Sequence, residues 1–268
     1  MVRAAADRAF LPTKNLLEQV GDMMIRTGKT LLSAMRPPYP YGTEFVQQFL
    51  FMLRLCWLPL LISTVAFGYG APGLQAGNAL IIFGAIDRLG GFFVLASIRE
   101  FAPFVTAIIL AGVGGTAITA DLGARKIREE LDALQVLGVD PIKNLVVPRF
   151  LSLMIVTGLF NIFAMIFGIF GGVLATLTFD APLGPFFATL LTNATTTDLW
   201  GSVLKTTLFG AIIAIVSCYK GMTASGGDEG VGKAVNQGVV IEFLGIFAFN
   251  YAFTQTLLAT HPEISVIK

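Results

Sequence analysis

The stretch DLGARKIREELDALQVLGVDP, residues 121–141, decides the fold because it is charged and lies between two long apolar segments. Its apolar side chains recur at helical spacing, which puts Ile127, Leu131, Leu134 and Leu137 on one face. Charged and polar residues cover the other faces. We predict an amphipathic helix outside the membrane, of the kind that a partner could grip to pass force inward. An ordinary solvated loop helix is the alternative.

The end of this helix and the start of the next can also be predicted. Gly138 can adopt the left-handed conformation that commonly ends a helix. Asp140 can accept a hydrogen bond from a free backbone amide of the next helix, and Pro141 fits that helix's first turn. One helix should therefore stop at Gly138 and another should begin after Asp140.

Composition identifies lipid as the main solvent of this chain. It has 268 residues, of which 55% are hydrophobic and 13% are charged, whereas soluble domains carry about 25% charged residues. The net charge of +1 leaves no excess for binding nucleic acid. Cys56 and Cys218 each lie in an apolar stretch and His261 is the single histidine, so we expect no disulfide, metal site or catalytic imidazole. The first strongly apolar run starts near Phe45, too late for a cleaved secretory signal.

Apolar segments long enough to cross a bilayer alternate with loops of unequal charge. Residues 1–43 hold six Lys and Arg side chains and residues 121–149 hold five, whereas 69–78 and 179–199 hold none. By the positive-inside rule, the first two regions are predicted to be cytoplasmic and the last two to lie outside. The candidate segments are 45–68, 79–98, 101–120, 150–178, 200–219 and 239–259.

One of these six segments must not cross, because an even number of crossings has to separate the two cytoplasmic regions. Segment 79–98 is the weakest, since Asp87 and Arg88 stand at its middle, and a charge at the bilayer centre costs about 2.5–3.5 kcal/mol. We interpret it as a re-entrant or interfacial elbow in the outer leaflet, leading into a span at about 99–120. The predicted fold is an all-α integral membrane protein with five transmembrane helices, its N-terminus inside and its C-terminus outside.

A second amphipathic helix is predicted over residues 14–36, before the first span. A basic amphipathic helix beside a span commonly lies flat in the cytoplasmic headgroup layer, and a soluble accessory helix is the alternative. The proline-rich stretch 37–40 should end it. Its predicted apolar face comprises Leu16, Leu17, Val20, Met23, Met24, Thr27 and Leu31.

The spans also contain small residues that allow helix backbones to approach closely in lipid. They could serve packing within the chain or a seam between subunits, and the sequence leaves both readings open. These residues are Gly112, Gly114, Gly115, Gly168, Gly171 and Gly172.

The stretch GDEGVGKA, residues 227–234, resembles a phosphate-binding loop but lacks its final Ser or Thr, since Ala234 occupies that position. The context is also wrong, because the stretch follows a membrane helix and not a buried strand. We therefore predict no ATP binding here, and instead a tight glycine-rich cytoplasmic turn between the fourth and fifth spans.

Ionisable residues within spans are candidates for function. Three such residues are Arg54, Lys205 and Glu242. Each side chain could extend along its helix so that the charged group reaches the membrane surface near a helix end, and for Lys205 we favour that interpretation. Arg99 and Glu100 stand where the elbow becomes the span. That pair could meet a lipid headgroup or could satisfy a helix break, and both interpretations stay open.

Two long blocks of sequence resemble the MlaE/YrbE permease family of lipid-transporting ABC systems. They are REFAPFVTAIILAGVGGTAITADLGARKIREELDALQVLGVDPIKNLVVPR, residues 99–149, and CYKGMTASGGDEGVGKAVNQGVV, residues 218–240. Within the family the chain resembles the A-type YrbE subunit of an actinobacterial Mce system. It departs from the family pattern at Val113, where an arginine is usual, and at 236–238, where Asn-Gln-Gly replaces the Asn-Glu-Thr usual in A-type relatives.

The resemblance implies one permease domain over residues 1–268, with a cytoplasmic region at 1–43, a transmembrane core at 45–259 and a coupling helix at 121–141. It also implies four partners: a second, B-type YrbE permease, a cytoplasmic Mkl/MceG-type ATPase dimer, periplasmic Mce proteins and a lipid substrate. ATP and Mg²⁺ would bind the ATPase, so this chain is expected to be no enzyme and to hold no cofactor. The expected location is the cytoplasmic (inner) membrane.

The resemblance assigns residues to two sites, and no catalytic or metal-binding residue. The ATPase-coupling residues implied are Arg125, Ile127, Arg128, Glu129, Glu130, Leu131, Asp132, Leu134 and Leu137. The substrate-binding residues implied, near a lipid pocket, are Arg99, Glu100, Phe101 and Phe104.

Two other functions are weighed against ATP-driven lipid transport, which the resemblance suggests is import. An ion- or proton-coupled secondary transporter usually has internal repeats, and the sequence contains no second copy of any segment. A lipid-modifying enzyme needs clustered His, Asp or Glu, and the single histidine follows the last span. The identity of the lipid cannot be read from the residues.

Overall fold

The computed structural model describes residues 20–37 and 39–262, and this part of the chain is helical and contains no strand. Four π-helical segments, at Tyr69–Gln75, Val94–Phe101, Leu110–Gly115 and Ile142–Val146, join or extend the α-helices. The α-helices are α1 (20–35), α2 (Gly42–Gly68), α3 (Ala76–Ile82), α4 (Leu89–Phe93), α5 (Ala102–Ile109), α6 (Thr116–Ile127), α7 (Glu130–Val136), α8 (Val147–Thr178), α9 (Leu183–Asn193), α10 (Thr196–Met222) and α11 (Gly227–Thr260).

Five continuous helical segments are long and apolar enough to cross a membrane, which confirms the predicted number of spans. The shortest has 27 residues, and a span needs about 20. Loops 128–141 and 223–226 lie at one end of the bundle, which we call the basic end. The turn 83–85 and the segment 179–195, which contains α9, lie at the opposite end. The spans are Gly42–Ile82, Ile86–Ile127, Ile142–Thr178, Thr196–Met222 and Gly227–Thr260.

The segment predicted as an elbow, 79–98, is divided between the first two spans. The first span continues to Ile82, the chain turns through residues 83–85, and the second span begins at Ile86. The predicted boundaries of these two spans are therefore wrong, although the segment makes no crossing of its own. The physical reason is that the π-helical segment Tyr69–Gln75 accommodates Pro72, so the first helix does not end there.

The helix α9, which no sequence pattern predicted, holds the start of the second span in place. The backbone of α4 lies so close to α9 that a side chain at Gly90 would overlap the carbonyl oxygen of Phe186. The amide of Gly91 donates to Thr189 Oγ1 at 3.2 Å. The rings of Phe93 and Phe186 meet edge to face, with their centroids 5.5 Å apart.

The predicted continuous amphipathic helix over 121–137 is wrong, because the chain bends at Arg128 and Glu129. The first half belongs to α6 and is continuous with the second span, whereas the second half is the separate helix α7. Glu129 adopts a left-handed conformation, φ 59°, which costs a non-glycine residue about 1–2 kcal/mol. Burial of Leu131 in the core and an ion pair from Lys126 to Asp132, at 2.9 Å, offset that cost.

The predicted stop and start around Gly138 are confirmed. Gly138 has φ +76°, the conformation expected after a helix end. The backbone amide of Ile142 donates to Asp140 Oδ1 at 2.9 Å, so the aspartate satisfies one of the free amides where the next helical segment begins.

The predicted glycine-rich turn over 227–234 is wrong as well, because these residues form the first turns of α11. The turn lies just before them and ends at Gly226, whose φ of 93° requires glycine. Asp228 and Glu229 then occupy the first turn, where negative charge stabilises the helix amino terminus.

The glycines of α8 serve packing within the chain. A Cβ atom on Gly171 would lie 2.6 Å from the backbone nitrogen of Tyr69 and 2.6 Å from the backbone oxygen of Val65. A Cβ on Gly172 would lie 2.5 Å from the ring of Phe93. In contrast, there is open space where a Cβ atom on Gly112 would lie. Of Gly112, Gly171 and Gly172, it is therefore the one that remains a candidate for a seam between subunits.

Part of the predicted N-terminal amphipathic helix, residues 20–35, is described as α1, and residues 14–19 with Leu16 and Leu17 lie outside the described residues. The side of α1 that contacts the bundle carries Thr30, which is buried, and Arg26, whose guanidinium lies 5.4 Å from the centroid of the Tyr219 ring. Apolar side chains on other sides of α1 are exposed: Val20, Met24, Ile25, Leu31, Leu32 and Met35.

Candidate functional site

A buried arginine ties three spans together at the basic end. Arg149, in the first turn of α8, is fully buried. Its Nη2 atom lies 2.6 Å from Asp121 Oδ2 of α6, and its Nη1 atom lies 3.3 Å from Glu44 Oε1 of α2. Nη1 also donates to the backbone oxygen of Leu145 at 2.8 Å. We call Glu44, Asp121 and Arg149 the charge lock, because these side chains fix the ends of three spans relative to one another.

The helix α7 projects beyond the charge lock, and its end carries exposed apolar side chains. Val136 is 88% exposed and Leu137 is 76% exposed. Neither has a described partner that covers it. We call Val136 and Leu137 the α7 tip; such adjacent apolar side chains at the end of a charged segment are typical of a surface that a partner covers.

The coupling residues implied by the resemblance fall into different environments. Leu131 is buried, and Ile127 and Leu134 are half-buried, so three of the four residues predicted on one apolar face pack toward the bundle. Leu137 is exposed, since α7 ends at Val136 and Leu137 follows its last residue. Four of the five charged members form local ion pairs: Arg125 with Asp121, Asp132 with Lys126, and Arg128 with Glu130.

Sequence reasoning missed Val136 as a member of this surface. Val136 lies outside the i, i+4, i+7 series that identified the apolar face, and the series assumed one straight helix. The signal that could have found it is the pair of adjacent apolar residues immediately before Gly138, where a helix ends and side chains on all sides become accessible.

Near the other half of the second span, Arg99 and Glu100 bind neighbouring helices and not each other. Arg99 Nε lies 2.5 Å from Asp198 Oδ1 of α10, and that carboxylate is fully buried. Asp198 also forms a capping box with Thr195 at the start of α10. The same carboxylate therefore caps the helix and binds Arg99.

Glu100 forms the centre of a polar cluster that joins α10 and α11. Its Oε1 atom accepts from Thr254 at 2.9 Å and lies 3.3 Å from Lys205 Nζ, and its Oε2 atom accepts from Asn250 at 2.9 Å. Lys205 also donates to the backbone oxygen of Arg99 at 2.6 Å. Lys205 is only 3% exposed, so its predicted placement at a helix end is wrong. A nearby carboxylate makes burial of the ammonium possible.

The four residues predicted to bind substrate do not line one cavity. Arg99 and Glu100 line a narrow cavity between α10 and α11. Phe101 lines a different one, together with Phe67 of α2. Phe104 packs edge to face against Phe247 of α11 at 4.7 Å between centroids.

The two other ionisable residues singled out within spans differ in burial. Arg54 is exposed on α2. Glu242 of α11 is buried and accepts a hydrogen bond from Ser217 Oγ at 2.6 Å, while its Oε2 atom has no partner among the described residues. Glu242 therefore does not reach a helix end.

The five spans and the charged segments at one end of the bundle define an α-helical, multi-pass membrane protein. The chain belongs to the MlaE permease family, whose model, described as Permease MlaE, matches residues 45–256. The match begins three residues after the start of α2 and continues past the end of α10. It therefore includes Asp121 and Arg149 of the charge lock.

Curated relatives agree with this assignment. The chain is 37% identical over 183 residues to a probable ABC transporter permease protein of Synechocystis, covering 66% of this chain and 68% of the relative. It is 30% identical to a probable ABC transporter permease protein of Rickettsia typhi, covering 91% of this chain and 94% of the relative. It is also 29% identical to the intermembrane phospholipid transport system permease protein MlaE of Haemophilus influenzae, over 68% of this chain and 70% of the relative.

Proposed function

We propose that this chain is the membrane-spanning subunit of an ATP-driven lipid transporter. Membership of the MlaE permease family supports a permease, and one relative is named for phospholipid transport. The observation that carries the proposal is the α7 tip, because two exposed apolar residues stand at the end of a short helix joined to the charge lock. A motor protein that held this tip could move three spans at once.

The proposed orientation follows the distribution of charge. The basic end faces the cytoplasm, the N-terminus is cytoplasmic, and the C-terminus lies on the periplasmic side of the inner membrane. By the resemblance to A-type YrbE subunits, the proposed partners are a B-type permease, an Mkl/MceG-type ATPase dimer docked at the basic end, and Mce proteins that pass lipid inward. ATP and Mg²⁺ would bind the ATPase and not this chain.

In the proposed mechanism, this chain supplies movement and a binding surface but no chemistry. Closure of the ATPase dimer would displace α7, and α6 would follow because only Arg128 and Glu129 separate the two helices. The charge lock would carry the displacement to α2 and α8. A rigid-body shift of that kind changes the shape of a cavity between subunits.

For the lipid we propose the region where α5 faces α11. There Phe104 and Phe247 offer apolar surface, and the Glu100 cluster offers polar groups for a headgroup. Phe247 belongs to an exposed apolar stripe on α11 with residues Val240, Leu244 and Tyr251, which suits either lipid or a second permease.

The docking proposal predicts the effect of charging the α7 tip. Val136→Asp combined with Leu137→Asp should lower co-purification of the ATPase, and lipid uptake, at least tenfold, because two carboxylates would lose water in the interface. Insertion into the membrane should be unchanged, since both side chains are exposed in the chain itself. Gln135→Asp adds charge at an exposed neighbour without removing an apolar contact, so it serves as the control. Wild-type association of the double variant would refute docking at this tip.

The lipid-site proposal predicts a separate phenotype. Phe104→Ala should reduce lipid co-purifying with the whole complex about tenfold, equivalent to about 1.4 kcal/mol, while ATPase association stays intact. Phe170→Ala, on an exposed part of α8, is the matched control. Mass spectrometry of the bound lipid would measure both variants and would also identify the lipid. Equal lipid content in the two variants would contradict the assignment.

A second candidate function, proton-coupled transport, has one observation in its favour. Glu242 is a buried acid within a span, and such residues commonly mark proton pathways. Uptake that continued with an inactive ATPase and stopped with an uncoupler would favour this function over the ATP-driven one.

A further inference from the structure

A polar cavity at the basic end contains a buried cation that the proposed function does not use. The last turn of α10, the turn after it and the first three turns of α11 enclose a cavity of about 370 Å³. Polar side chains that line it are Lys220, Thr223, Ser225, Lys233 and Gln237. The cavity is distinct from the α7 tip and from the Glu100 cluster, with which it shares no residue.

Lys220 is the decisive residue in this cavity. It is 7% exposed, and its Nζ atom donates to the neutral Gln237 Oε1 at 3.1 Å. No carboxylate of the described residues lies within ion-pair distance of it. The two other buried basic side chains, Arg149 and Lys205, each have such a carboxylate, at 2.6 and 3.3 Å. A buried ammonium without a counter-charge is unfavourable, so its position facing a cavity indicates an anion that enters from outside the chain.

A second cation and two hydroxyl groups line the same cavity. Lys233 shares a face of α11 with Gln237, four residues later. Among the described residues it forms an ion pair with Glu229, at 2.7 Å, and both side chains are mostly exposed, so this pair is weak and can give way to a ligand. Ser225 Oγ has no hydrogen-bond partner in the described part of the chain. Thr223 donates to the backbone oxygen of Tyr219.

The helical conformation of residues 227–234 determines the size of anion that could bind. A phosphate-binding loop wraps around a chain of phosphates with successive backbone amides, whereas residues 227–234 form the first turns of α11, in which the amides after the first four point along the helix to intrahelical acceptors. The side chains of Lys220 and Lys233 approach the cavity from two helices. That arrangement suits a single tetrahedral group, because lysine binds phosphate as a point charge.

We propose that this cavity binds one phosphate group, from the headgroup of an anionic lipid or from free phosphate. The cavity lies between Met222, the last residue of the fourth span, and Gly227, the first residue of the fifth. It is therefore at the level where a span leaves the bilayer and where lipid phosphates are concentrated. The site does not depend on the proposed transport function or on the identity of the transported lipid.

The test uses the full-length, delipidated protein in neutral detergent and native mass spectrometry. Three probes are titrated: phosphatidic acid, diacylglycerol with the same acyl chains, and inorganic phosphate. We expect one tightly bound phosphatidic acid and no comparable binding of diacylglycerol. Lys220→Gln should weaken phosphatidic acid binding at least tenfold. Lys143→Gln, which removes one positive charge near the basic end but outside the cavity, should change it less than twofold.

Competition separates the two sources of phosphate. If inorganic phosphate displaces phosphatidic acid and shows the same dependence on Lys220, the site takes free phosphate; if it does not, the site takes the lipid. Lys233→Gln alters an exposed residue that folding does not need, and it should weaken binding about threefold even if Lys220→Gln fails to fold. Wild-type binding by both variants, or binding of neither phosphatidic acid nor inorganic phosphate by the wild type, would overturn the proposal and leave a carboxylate of a partner chain as the counter-charge.

Discussion

Glu44→Gln combined with Asp121→Asn is expected to lower the free energy of unfolding by about 3–5 kcal/mol, because both changes act on the fully buried Arg149. Without the two carboxylates, the guanidinium would keep only neutral acceptors, which are the amide oxygens of the two new side chains and the backbone oxygen of Leu145 at 2.8 Å. Denaturant unfolding in detergent micelles would measure the loss. We also expect lipid uptake to fall, since three spans would no longer be fixed to one another at the basic end.

A third substitution distinguishes a charge effect from a packing effect. Adding Arg149→Met to the two neutral variants removes the buried charge and keeps an unbranched side chain, so the triple variant should recover most of the lost stability. Asp132→Asn is the control for an exposed pair, and it should cost less than about 1 kcal/mol. If the triple variant is as unstable as the double one, the charge lock does not act by pairing charges.

Gly171→Ala is expected to destabilise the chain by about 1–3 kcal/mol or more, through overpacking between α2 and α8. The added methyl group would lie 2.6 Å from two backbone atoms, Tyr69 N and Val65 O. Backbone atoms of a helix cannot rotate away as a flexible side chain can, so the two helices would have to separate. Thermal unfolding of the purified protein would report the change.

Gly70→Ala is the matched control, because it adds the same methyl group on the neighbouring helix where no atom lies within 4 Å. Alanine stabilises helical backbone relative to glycine by about 0.5–1 kcal/mol, so this variant should be neutral or slightly more stable. Equal destabilisation of the two variants would show that the close contact at Gly171 is not the cause, since helix propensity favours alanine at both positions.

The two expected results concern contacts of α8 at different levels of the bundle. The charge lock holds α2, α6 and α8 at the basic end, and the contact at Gly171 holds α2 against α8 farther along the span. A displacement of α7 would therefore reach a unit that is already rigid. We expect such a unit to move as one body, because packed helices have discrete arrangements rather than continuous deformations.

The sequence by itself determined the class of protein, the number of spans and the break at Gly138. These features depend on local properties: hydrophobicity summed over about 20 residues, charge in short loops, and the conformational freedom of one glycine. The family could also be identified from residues 99–149 and 218–240, since such long motifs do not need coordinates. The exposed pair at the α7 tip was predicted only in part, because the sequence pattern included Leu137 and not Val136.

Only the tertiary structure decided which charges pair, and so which residues form a site. Arg99 and Glu100 are adjacent in sequence, yet they bind Asp198 on α10 and a cluster centred on Lys205 and Thr254. The bend at Glu129 likewise depends on burial of Leu131, which no local pattern encodes. The physical reason is that a charge in a membrane bundle is stabilised by partners a hundred residues away, whereas periodicity reports only on neighbours within one helix.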